Sequence, residues 1–122
     1  MINFKKEAFK QRNEVIEMLK NLPEELKIIY GEKLKKVVLY GSVAREMATD
    51  DSDVDIMVLI DMNQNELIEY EDALSDVSTN LALEYFKVFS LIDVSLEEYD
   101  HWKDILPFYK NVDKEGIVLY AA

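Results

Sequence analysis

The sequence predicts an α/β domain, a small mixed sheet flanked by helices, and three observations predict it. Short apolar runs at residues 37–40, 53–60 and 87–95 have the length of strands. Between and around them lie longer segments whose apolar residues recur at threes and fours, the period of an amphipathic helix. The chain has 122 residues, enough for one core and one domain spanning 1–122, but too few for a separate substrate domain. No repeat, low-complexity tract or linker interrupts this order.

In chain order, residues 4–22 carry Phe4, Ala8, Val15, Met18, Leu19 and Leu22 among charged residues, which predicts a first helix. Pro23 suits the first turn of a second helix, with Glu24 and Glu25 behind it, and Gly31 closes that helix or turns the chain. Lys33, Lys35 and Lys36 form a basic cluster before the first strand. Such lysines are usually solvated flanks, though one near the following Gly41-Ser42 turn would suit a phosphate. Residues 37–40 are apolar on both faces, as in a central strand covered by helices. Residues 53–60 read alike once two aspartates are passed, and 61–65 form a polar turn.

Asn65 is placed to cap a helix over about 66–83, with Leu67, Ile68, Tyr70, Ala73, Leu74, Val77, Leu81 and Ala82 toward the core. Its acids are assigned to a solvated face. Residues 87–95 make the third strand, and Ser95 is a candidate cap for a last helix over 96–105, ended by the segment 106–109. A short apolar segment finishes the chain. Trp102 is expected in the core, while Phe108, Tyr109 and Tyr120 suit a core or an interface equally.

Net charge is −11, with the acids spread along the chain. Such a surface repels a phosphate backbone, which disfavours direct nucleic-acid binding. It suits a basic protein partner, or it serves solubility alone. With no cysteine there is neither a disulfide framework nor a thiolate metal site, which fits a reducing compartment. The first residues lack the apolar core of a signal peptide, and no apolar run has the length of a membrane span, so the expected location is the cytoplasm with no membrane partner.

The most informative stretch joins the first two strands. Asp53 and Asp55 stand at a strand mouth two residues apart, so their carboxylates point the same way. Like charges that close repel unless a cation lies between them, and hard oxygen ligands favour Mg²⁺, which takes one or two carboxylates, water and substrate phosphates. Gly41 permits close backbone approach, and the Ser42 hydroxyl with the N–H groups of a following helical turn suits phosphate oxygens. Arg45, one turn later, would project from the same side and pair with a triphosphate.

Gly41-Ser42, ten intervening residues, then Asp53-Val54-Asp55 resembles the signature of the DNA polymerase beta-like nucleotidyltransferase superfamily. The runs Gly41-Ser42-Val43-Ala44-Arg45 and Ser52-Asp53-Val54-Asp55 are similar to its minimal nucleotidyltransferase branch. The resemblance implies the polymerase beta-like fold, ATP as nucleotide donor, and Mg²⁺ held by Asp53, Asp55 and a third carboxylate on the third strand. The acid available there is Asp93, which shares parity with Phe89 and Leu91, whereas Ser90 and Ile92 point the other way. Both faces are partly apolar, and the family's spacing falls nearer Ile92, so the assignment of Asp93 stays open. Two further departures are Val43, where many relatives have arginine, and Glu46, where many have glycine. A helix would accept glutamate there, at the expense of a negative charge near the triphosphate.

By the same resemblance the chain transfers AMP from ATP to a hydroxyl, that of a tyrosine, on a HEPN-domain ribonuclease toxin, and so acts as its antitoxin. Two alternatives stand beside this: an antitoxin that neutralises by binding alone, and a nucleotidyltransferase acting on a small molecule of the aminoglycoside kind. The lone histidine, His101, reads as a surface or partner contact more than as a general base.

Overall fold

In the computed structural model, which describes residues 4–49 and 51–122 without the side chains of residues 4–6, 8 and 9, the expected alternation becomes one four-stranded sheet between two helical layers. The strands are β1 Leu34–Tyr40, β2 Val54–Ile60, β3 Phe89–Ser95 and β4 Ile117–Ala121, in spatial order β3-β2-β1-β4. β1 runs antiparallel to both neighbours, while β2 and β3 are parallel, so the sheet is mixed as predicted. A parallel pair needs a crossover, and here α4 Gln64–Ile68 and α5 Glu71–Tyr85 supply it.

Period-two alternation distributes the apolar residues between two cores. Val37, Leu39, Val54, Ile56, Val58, Ile60 and Phe89 pack toward α1 Phe4–Met18, α2 Leu22–Tyr30 and α5. The opposite face buries Val38, Met57, Leu59 and Val94 against Tyr99 of α6 Leu96–Trp102 and Val112 of α7 Pro107–Glu115. With both faces covered, β2 is apolar at every position but Asp55. Among the described residues no helix is long and apolar enough to cross a membrane.

Several expected boundaries move for identifiable reasons. The helix expected over 4–22 ends at Met18, because Pro23 must sit in the first turn of α2, where its missing N–H leaves no bond unmade. Of that helix's expected apolar positions, the side chains of Phe4 and Ala8 lie outside the described residues. Gly31 ends α2 with φ 61°, as expected. The strand expected at 37 begins at Leu34, which places Lys35 and Lys36 inside it and Lys33 in a single 3₁₀ turn, Gly31–Lys33. Lys36 ion-pairs with Asp113 at 3.9 Å. It stands four residues from Tyr40, about 13 Å along a strand, too far to serve the turn at Gly41.

The helix expected over 66–83 is two helices, and Asn63 rather than Asn65 caps the first. Asn63 Oδ1 accepts from the Glu66 N–H at 2.9 Å and Glu66 Oε1 accepts from the Asn63 N–H at 3.4 Å, a reciprocal capping box. Trp102 is not in the core; it is 37% exposed on the last turn of α6. The segment after it, expected only to end a helix, contains α7, opened by Pro107 and followed by Gly116. The apolar tail is β4, an edge strand on β1.

Candidate active site

Because β1 and β2 are antiparallel, the end of one lies beside the start of the other, and Tyr40 is the cross-strand partner of Asp55. Partners share a face, so Tyr40 and Asp55 project toward the side of Met57, with Asp53 just ahead of the strand. The chain leaves Tyr40 through Gly41, whose φ is +78°, into the four-residue helix α3 Gly41–Ala44. A Cβ at Gly41 would collide with a carboxylate oxygen of Asp55 and lie 3.2 Å from its Cγ. Only glycine adopts this backbone readily and leaves room for the acid.

The electrostatics identify the pair as a unit. Burial pushes the Asp55 carboxyl above its ordinary range, the Asp53 carboxylate adds to that, and the Arg45 guanidinium opposes both. Burial also raises the Tyr40 hydroxyl, with Asp55 as the second cause. Tyr40 packs edge-on against Phe108 of α7, with ring centroids 5.5 Å apart. Arg45 closes α3, its N–H donating to Gly41 C=O at 3.1 Å, and its guanidinium lies 3.8 Å from Glu115 Oε2 at the end of α7. Ser42 is half-buried in α3, and its C=O accepts from the Met47 N–H at 2.8 Å.

The loop between α3 and β2 is braced at both ends. Glu46 is not helical: it has φ 59°, in the left-handed region, which explains physically why glycine suits that position. Its carboxylate points away to Arg12 at 2.8 Å. Nearer β2, the Thr49 N–H donates to Ser52 Oγ at 2.9 Å and the Ser52 N–H to Thr49 C=O at 3.1 Å, directly ahead of Asp53.

Gly41, Ser42, Arg45, Asp53 and Asp55 are thus brought together, whereas Asp93 shares a groove with Asp53 but stands on the opposite face of the sheet from Asp55. It lies in register with Val58 and on the face of Phe89 and Leu91, beneath which Tyr30 is buried and feels its charge. On the face of Asp55, β3 instead presents Ser90 opposite Asp55 and Ile92 opposite Met57. Among the described residues no three acids, histidines or cysteines converge as a metal cluster. His101 is exposed on α6, in a cleft with Asn63, Gln64 and Glu98 beyond the opposite end of β2.

Three neighbours of the site escaped the sequence reading. Tyr40 precedes Gly41 directly and was legible as the last strand residue; Ser90 depends on strand register, and Glu115 on a helix that was not expected. The resulting constellation has two adjacent carboxylates, a glycine that lets backbone close on them, and a cation within electrostatic reach. Carboxylates of this kind are groups that could ligate a divalent cation, and the guanidinium is one that could pair with phosphate oxygens.

A family model described as Polymerase beta, Nucleotidyltransferase matches residues 13–122. A Methanocaldococcus jannaschii protein named "putative protein adenylyltransferase" is 36% identical over 102 residues, covering 84% of this chain and 94% of that protein. A second of the same name and organism is 37% identical over 79 residues, 59% of this chain and 77% of the other. The crystal structure of a Sulfolobus solfataricus protein described as a "putative nucleotidyltransferase" superposes with a TM-score of 0.54 over 93% of this chain and 86% of that one. At 17% identity that likeness shows the fold.

Proposed function

This chain belongs to the polymerase beta nucleotidyltransferase family, and from that premise we propose that it is a protein adenylyltransferase acting on a HEPN-domain ribonuclease as its antitoxin. The observation that carries the reading is the Asp53–Asp55 pair, with Gly41 closed onto Asp55. The names of the Methanocaldococcus relatives support a protein acceptor. The antitoxin role and the HEPN partner rest on the motif's likeness to minimal nucleotidyltransferases.

The donor set fits Mg²⁺. Asp55 is held where its ionised form is disfavoured by burial and by Asp53, a cost that a cation between the two would remove, and carboxylate oxygens are its preferred ligands. When bound, the ion neutralises phosphate charge and acidifies an attacking hydroxyl. Arg45 lies near enough to Asp55 to compensate triphosphate charge, and the backbone at Gly41 and Ser42 offers the approach that β- and γ-phosphates need. The acceptor oxygen attacks the α-phosphorus of ATP, the bond from that phosphorus to the bridging oxygen breaks, and pyrophosphate leaves. The acceptor's proton passes to solvent or to a base on the acceptor.

The test is the intact mass of a purified HEPN-domain ribonuclease after incubation with the chain, ATP and Mg²⁺. One or more added AMP units, abolished by the double variant Asp53→Ala, Asp55→Ala, supports the reading. No added mass would sink it. The separation of Asp93 from Asp55 and the net charge of −11 favour a second reading, neutralisation by binding alone, which predicts that the double variant still neutralises.

A further inference from the structure

We propose that the acceptor docks as an extended, basic peptide segment along the free edge of β3. The inference deepens the function proposed above and rests on it for the point of transfer. Among the described residues β3 has β2 as its one neighbour in the sheet. Val88 C=O accepts from the Val54 N–H at 2.9 Å, so the strand's alternation turns the main-chain groups of Phe89, Leu91 and Asp93 away from β2. Ser78 Oγ donates to Phe89 C=O, which confirms that direction and occupies the first of these groups. Leu91 and Asp93 then present N–H and C=O pairs two residues apart, the pattern to which an added strand bonds.

A groove follows this edge. One part, about 480 Å³, runs between β3 and α5 with Asp53, Glu71, Ser90 and Asp93 on its walls. A second, about 340 Å³, continues from Asp53 and Val88 to Phe86. The groove therefore reaches Asp53, the nearer member of the aspartate pair, and a hydroxyl carried on a strand bound beside Phe89 is directed toward it. Its acids, Asp51, Asp53, Glu71 and Asp93, face Lys87 as the one cation among the described residues of the groove, on a chain of net charge −11. That charge attracts a lysine- or arginine-bearing segment and repels nucleic acid.

At the groove's mouth Phe86 ends α5 with φ 55°, where glycine is usual, and the residue is 92% exposed. Folding gains nothing from an aromatic ring held in water on a strained backbone. Val88, also exposed, lies beside it. Together they form an apolar anchor for the incoming segment at the rim of an otherwise polar groove.

The test uses the ¹⁵N-labelled full chain without nucleotide or metal, titrated to ~1 mM with a peptide of about ten residues alternating lysine and valine around one tyrosine. The expected result is a set of amide shifts concentrated at Leu91, Asp93 and Phe86, with affinity falling about tenfold in Phe86→Gly and in Asp93→Lys. Phe86→Gly relieves the left-handed strain, so loss of binding cannot be loss of fold. The inference is overturned by the absence of shifts at this concentration, by shifts elsewhere, or by equal binding of a glutamate-for-lysine peptide or of single-stranded RNA. A dimer in which β3 pairs with a second copy, seen by light scattering, also overturns it. Peptide binding at β3 without AMP transfer to the HEPN protein would refute the proposed function and leave the docking edge standing. AMP transfer undiminished in Phe86→Gly and Asp93→Lys would do the reverse.

Discussion

Replacing Gly41 by alanine tests the geometry of the aspartate pair directly, because the new methyl group has a single place to go and Asp55 occupies it. Two costs add. Alanine at φ +78° carries a left-handed penalty of about 1–2 kcal/mol. Displacing the Asp55 carboxylate adds about 1–3 kcal/mol of overpacking. Gly31→Ala is the internal control: Gly31 also has positive φ, +61°, but a Cβ there meets nothing within 4 Å, so its cost is the backbone penalty alone. In the Asp55→Ala background the collision with the carboxylate is gone and a 3.3 Å contact with the remaining Cβ is left, so Gly41→Ala should cost only slightly more than Gly31→Ala. The double-mutant cycle should therefore show a coupling of about 1–3 kcal/mol between positions 41 and 55. Urea melts read it, and a domain with a typical ~5–15 kcal/mol of stability remains folded throughout. AMP transfer by Gly41→Ala should fall by about 100-fold, the effect of moving a reacting group by an ångström. Equal melts for Gly41→Ala and Gly31→Ala, with transfer within about twofold of the parent, would refute the close approach of Gly41 to Asp55.

Other outcomes follow from single residues. Glu46→Gly relieves a left-handed glutamate and loses the Arg12 ion pair, so thermal melts should show between no change and a gain of about 1 kcal/mol. The Tyr30 hydroxyl is buried with no hydrogen-bond partner among the described residues, and Tyr30→Phe should raise stability by about 1 kcal/mol, a melting temperature some 4 °C higher. Asp55, whose folded carboxyl titrates above the ordinary 3.8, binds its proton more readily folded than unfolded. Its contribution to stability therefore rises as pH falls through the folded pKa toward 3.8, and is lost as pH climbs back. Asp55→Asn should flatten that limb in metal-free melts; an unchanged slope would show that Asp55 does not carry it.

What was legible in the sequence was whatever chemistry fixes locally. Gly41 and the spacing of Asp53 from Asp55 state their geometry within a few residues, as a glycine-only backbone and a strand parity. The apolar runs gave three of the four strands, since burial on both faces leaves no alternation to misread. Less legible were features decided by packing at a distance. A helix period over 66–83 does not show that the chain bends near Tyr70, where Tyr30 and Tyr70 rings meet with centroids 5.2 Å apart. Trp102 has a core residue's composition and a surface position, because α6 buries Tyr99 instead. Glu46 looked compatible with a helix, and nothing in its neighbours announced that the helix stops at Ala44.

The parity of Asp93 has a consequence for the acceptor. With Ser90 and Ile92 rather than an acid on the Asp55 face of β3, the described residues of that strand place no third carboxylate there to take the proton from an attacking hydroxyl. General-base assistance is worth about 10²–10⁴ in rate, so its absence selects acceptors that ionise easily. A phenol ionises near pH 10 and water near 15.7, and an aliphatic alcohol resembles water; the gap is about 8 kcal/mol of proton affinity. On the proposed function, a site with two carboxylates would therefore favour tyrosine over serine or threonine as the acceptor. Ile92→Asp adds the missing acid on the correct face, at the expense of some stability because Ile92 packs against the Tyr99 cluster. Transfer to a serine-bearing version of the acceptor peptide should then rise about tenfold or more, while transfer to tyrosine changes by less than about threefold. In parallel, Mn²⁺ titration should show tighter binding for Ile92→Asp and none of that change for Asp93→Asn. Parent protein that modifies serine as fast as tyrosine, or an Asp93→Asn variant that loses Mn²⁺ affinity, would refute the assignment of the two faces of β3.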